Sequence, residues 1–186
     1  MMITLLLNVV LAIPPTRALS PAVVHAAVAE AGRVWAPYGL AVGAAGDDGE
    51  CGSDPDADGA FLTVVLIESR HSTVMPGWRG ALGAITFSSG TPAPAITVYL
   101  TEIDRFIAGA RLFGPHPWPL ALHDQIFGRV LGRVLAHEIG HYVLRSPHHA
   151  ADGLMRSVQL PDDLVAPSRH RFVLTAPERA KLAAGR

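Results

Sequence analysis

At positions 137–141 the chain reads His-Glu-Ile-Gly-His, two histidines four residues apart with a glutamate directly after the first. Four residues is close to one helical turn. His137 and His141 therefore project from one helix face and can share a metal ion, while Glu138 reaches a water bound beside it. The composition generates such a pattern by chance in roughly one chain of seventy. The bland alternative is a helix with two hydrogen-bonded histidines and a surface glutamate. The apolar residues around the motif argue against a helix solvated on every face.

Two imidazoles make half of a tetrahedral site; zinc hydrolases of this type add a third protein ligand and leave one position open to water. His148 and His149 follow closely, so four of the nine histidines fall within 137–149. The lone Cys51 builds neither an intrachain disulfide nor a thiolate site. Any metal must be held by histidine or carboxylate, and Zn2+ is the expected cofactor.

The elements that must position these residues are legible in outline. Ile3 to Val10 is an apolar run that reads as a buried strand, and Ser20-Pro21 reads as an N-cap and first position of a helix over 21–36. Leu40 to Val42 is a short strand, and Phe61 to Ile67 a strand covered on both faces. Gly80 to Phe87 is a weaker strand whose glycines suit a sheet edge, and Ala95 to Leu100 is the last strand. Leu112 to Pro119 is too proline-rich for regular structure. A long helical pattern then runs from about Ala121 and must stop before Pro147. Thr175 and Glu178 have capping-box spacing for a helix over 176–184. The fold class is a single α/β domain over 1–186: a mixed, mostly parallel twisted sheet with an antiparallel edge strand, packed on two long helices.

The stretch HEIGHYVLRSPHHAADGLMRS resembles the metzincin metallopeptidases, whose motif runs HExxHxxGxxH and is followed by a methionine in a tight turn beneath the metal; Gly153-Leu154-Met155 stands at a suitable distance for that turn. The order of elements resembles a minimal metzincin core over nearly the whole chain. Two positions depart from the family pattern: Leu144 replaces the glycine that turns the chain out of the helix, and Pro147 occupies the place of the third histidine. A helix continuing to Arg145 or Ser146 delays the returning loop, which favours His149 as third ligand, with His148 as the alternative.

The resemblance implies a zinc-dependent peptidase. Zinc lowers the pKa of its water to about 7 and polarises the scissile carbonyl, and Glu138 is the general base that passes the proton to the leaving amine. It also implies a peptide or protein substrate lying antiparallel to the edge strand near Leu82 to Phe87, whose unpaired N–H and C=O groups are available to it. Two other readings compete. One is a gluzincin-like zinc hydrolase with Glu178 as third ligand; the other is a non-catalytic zinc-stabilised binding or regulatory module.

Other features carry less. Asp54, Asp56 and Asp58 begin like a calcium loop, but its twelfth position is Val65 rather than glutamate. Trp35, Trp78, Trp118, Tyr142 and Met155 read as packing residues. Lys plus Arg total 15 against 16 for Asp plus Glu, which gives no electrostatic footprint for nucleic acid. No run approaches the roughly 18 apolar residues of a membrane span, and the first cation, Arg17, follows the N-terminal apolar stretch rather than preceding it. A cytoplasmic monomer is the default expectation.

Overall fold

Ser20 starts the first helix as its spacing predicts: its hydroxyl accepts from the Val23 N–H at 3.3 Å, and Pro21 fills the first helical position. In this computed structural model, residues 7–46, 59–68, 80–110 and 119–185 are described. They form strand β1 (Leu7–Ala12), helix α1 (Pro21–Trp35), β2 (Leu40–Ala44), β3 (Gly59–Ile67), β4 (Gly83–Ser88), β5 (Thr91–Tyr99), α2 (Leu100–Ala108), α3 (Leu120–Val143), α4 (Pro161–Val165) and α5 (Ala176–Ala184). The five strands make one sheet in the order β2-β1-β3-β5-β4. All neighbours are parallel except β4, which runs antiparallel to β5 at the sheet edge. Ser89 and Gly90, both with positive φ, make the two-residue turn between them. The expected fold class is therefore the observed one.

Some elements differ from expectation. β3 is buried on one face only: Leu62 and Val64 are buried, whereas Phe61 is 56% and Val65 43% exposed. A continuous apolar run does not by itself specify cover on both sides. Leu100 starts α2 rather than ending a strand, and the buried Leu100, Ile103 and Ile107 give α2 an apolar face. β5 begins earlier than expected. Pro92 and Pro94 disguise it, yet they precede Ala95, where pairing with β3 begins, so their missing N–H groups interrupt no ladder with β3. The short α4 was not anticipated. Of the sequence features, residues 3–6, the acidic loop with Cys51, and Trp78, Trp118 and the proline-rich stretch 112–118 lie outside the described residues. No helix among the described residues is long and apolar enough to cross a membrane.

Helix α3 carries the site, and α1 fixes α3. A Cβ at Gly132 would meet the Ala27 carbonyl oxygen at 2.5 Å, and one at Gly128 would meet the Ala26 Cβ at 2.8 Å, so these glycines let the two helices cross closely. Further along, residues four apart form a polar stripe of Arg129, Arg133, His137 and His141. Arg129 donates to the Val165 carbonyl at 2.7 Å; Arg133 donates to the carbonyls of Asp163, Leu164 and Ser168 and, through Nε, to Glu30 on α1 at 3.0 Å. Arg133 is 1% and Glu30 2% exposed. Burial pulls the Arg133 guanidinium below its ordinary pKa, and the Glu30 carboxylate opposes that shift.

Such a pair is costly to break from one side. Glu30 also accepts from Arg169 at 2.6 and 3.0 Å, so Arg133→Met leaves the carboxylate one guanidinium and costs mainly the buried half of the network and the three carbonyls that Arg133 serves. A loss of about 3 kcal/mol of unfolding free energy is expected in urea titrations. The double change with Glu30→Met should lose less, and equal losses would remove the ion pair from the account.

Candidate metal centre

The last two turns of α3 present His137, Glu138 and His141, and the end of the helix sends the chain back across them. Leu144 caps α3, the Arg145 N–H donates to the Tyr142 carbonyl, and the Ser146 N–H donates to the His141 carbonyl, both at 3.1 Å. This is a Schellman turn whose left-handed residue is Arg145 at φ 46°. The helix thus ends at Val143, before the Arg145 or Ser146 end considered from the sequence. The left-handed residue stands one position after Leu144, and the chain that follows places His149, beyond Pro147, beside the helix histidines. The loop then brings His149 over the helix, and the Ala150 N–H closes it by donating to the Met155 carbonyl at 2.8 Å.

The three ring nitrogens converge. His141 Nε2 lies 3.1 Å from His137 Nε2 and 3.2 Å from His149 Nε2, and the potential ligand atoms of all three residues fall within 4.8 Å of one another. His137 Nδ1 is 2.8 Å from the Leu154 carbonyl oxygen and His141 Nδ1 is 2.7 Å from that of Ser146. A carbonyl only accepts, so the proton of each neutral ring is assigned to Nδ1 and each Nε2 presents a bare lone pair. Two bare lone pairs 3.1 Å apart cannot hydrogen-bond to each other. A cation between them would satisfy both. Zn–N bonds of about 2.0–2.1 Å at tetrahedral angles put nitrogens about 3.3–3.4 Å apart, close to the spacing here, so the donor set fits zinc.

Electrostatics favour the ligand form of the rings. Burial, with a contribution from neighbouring His141, takes His137 down to about 3, and burial lowers His141 and His149 as well. Burial pushes Glu138 up to about 8.

Other residues are placed as follows. His148 is exposed and stands outside the convergent group. The Glu178 carboxylate accepts from the Thr175 N–H at 2.6 Å in the capping box of α5, and it too is outside that group. Met155 is 1% exposed and packs beneath the centre against Gly140, where a Cβ would collide with its sulfur. Gly153, at φ 80°, turns the chain so that the Leu154 N–H donates to the Val173 carbonyl while its own carbonyl faces His137. Trp35 is fully buried and donates to the Ala136 carbonyl at 3.0 Å. Tyr142 packs against the core.

A cleft of about 790 Å³ opens onto the histidines. Its lining includes Leu82 to Phe87 at the sheet edge, Val134 and Glu138 of α3, and Arg156 to Gln159. The Tyr99 N–H donates to the Leu82 carbonyl, which makes Leu82 a hydrogen-bonded position. By alternation the backbone groups of Gly83 point away from β5, toward the free edge. Sequence reasoning missed Gly83, Gly140, Arg133 and Glu30. Only the i, i+4 spacing of Arg133 with His137 offered a signal, and it carries no information about a partner on α1. No protein-family model, no curated protein and no solved structure matches the chain.

Proposed function

We propose that this chain is a zinc-dependent peptidase of metzincin-like design, with His137, His141 and His149 as metal ligands and Glu138 as general base. The observation that carries this reading is the convergence of three imidazoles beside a buried carboxyl group in a cleft walled by an edge strand. Bound zinc supplies Lewis acidity, which acidifies a water and polarises a carbonyl. Burial alone favours the protonated form of Glu138, and the positive charge of a bound cation would favour the carboxylate, which accepts a proton and returns it to the leaving amine. The carbonyls of Leu154 and Ser146 hold the His137 and His141 rings in the orientation that exposes Nε2. The outward N–H and C=O groups of β4 pair with the backbone of an extended peptide. Three convergent protein ligands and the presence of Glu138 beside them favour a catalytic site over a purely structural one, which more often has four protein ligands.

Reconstituted protein is expected to hold one zinc per chain, to lose it to a chelator, and to hydrolyse a mixed peptide library only when loaded. Elemental analysis that finds no metal after reconstitution would sink the proposal, and so would peptide cleavage that is indifferent to chelation.

A further inference from the structure

We propose that Gly83 is a positioning residue for Glu138; the inference rests on the peptidase reading only in assigning the carboxyl its proton-handling task. Gly83 opens β4 at the cleft wall, opposite Val98 in the β5 register. A Cβ built there would lie 2.7 Å from Val134 Cγ1, 3.0 Å from Glu138 Oε1 and 3.1 Å from Glu138 Cγ. These three atoms belong to two residues of α3 four positions apart, about one helical turn, and both line the same cavity. The missing side chain is therefore the space in which the Glu138 arm lies. The strand backbone bounds that arm on one side, and burial of the residue to 5% exposure restricts it on the others.

The backbone conformation of Gly83 is not among the positive-φ glycines, so left-handed geometry does not explain the residue. Close approach does. Gly80 and Gly90, on the same stretch, have positive φ and open space where a Cβ would stand. At Gly83 the requirement is reversed, with ordinary backbone and no room. A methyl group there crowds both the Val134 side chain and the Glu138 arm, and Val134 is itself packed at 5% exposure, so it gives the Glu138 arm little relief. Misplacement of a catalytic group by about 1 Å can cost on the order of 100-fold in rate, so a displacement of about half an ångström corresponds to about 10-fold.

The test uses the full chain carrying Gly83→Ala, alone and combined with Val134→Ala, each reconstituted with zinc. A crystal structure of the single variant should show the Glu138 carboxyl displaced or rotated, with zinc affinity within about 2-fold of the parent because no ligand has moved. Its kcat should fall by about 10-fold with KM little changed. Adding Val134→Ala removes the closest obstruction and should return the carboxyl toward its place and recover most of kcat. A Glu138 carboxyl unmoved in Gly83→Ala would overturn the proposal, as would loss of zinc affinity in parallel with kcat. If the parent chain cleaves no peptide, the peptidase reading fails, and the position of Glu138 in the two crystal structures still decides the role of Gly83.

Discussion

Glu138→Gln is expected to bind zinc as tightly as the parent chain and to hydrolyse peptides at least about 100-fold more slowly. The substitution keeps the size and polarity of the side chain and removes its capacity to accept and return a proton. Glu138 is 5% exposed, and the histidine cluster is defined by ring nitrogens without it, so the amide disturbs neither the fold nor the ligand set. Zinc titration and steady-state hydrolysis on the same preparation separate the two properties. Unchanged turnover would remove Glu138 from the chemistry and leave the cluster with a binding role.

The larger effect on the metal comes from the ligands. His137→Ala and His141→Ala should reduce zinc binding sharply, and His149→Ala by at least 10-fold, since even groups that only orient ligands cost roughly 10 to 100-fold. His148→Ala and Glu178→Ala should leave the metal in place. The exposed His148 stands apart from the convergent nitrogens, and Glu178 is engaged with the Thr175 N–H. Glu178→Ala should instead cost on the order of 1 kcal/mol of stability, the usual worth of a helix cap. Loss of binding in Glu178→Ala alone would exchange the metzincin-like assignment for the gluzincin-like one.

The parts read most directly from the sequence were those governed by local rules. Ser20-Pro21, the Thr175/Glu178 box and the HEIGH spacing each encode their geometry within a few residues, and each stands where it was expected. The edge position of β4 was also legible, through its glycines. What escaped depended on contacts distant in sequence. Gly140 is small because of Met155, Gly83 because of Val134 and Glu138, and Gly132 because of Ala27 and Glu30, none of which a single sequence marks as a neighbour. The turn after α3 was hidden for a different reason. Its left-handed position is filled by Arg145, a residue type that seldom signals positive φ.

The polar stripe of α3 bears on how a metal ion would be acquired. Arg129, Arg133 and His137 bind carbonyl oxygens of the chain between Leu154 and Ser168, and His141 binds the carbonyl of Ser146, so the irregular segment after the helix is tethered by the helix itself at several points. Small zinc-folded domains spend metal-binding free energy on ordering their chain and unfold when the ion is withdrawn. Here the hydrogen bonds from α3 supply ordering that does not depend on an ion. If that ordering suffices, chelation of a bound ion would leave the segment docked on α3, and urea titrations with and without chelator should then differ only by the binding free energy of the ion itself.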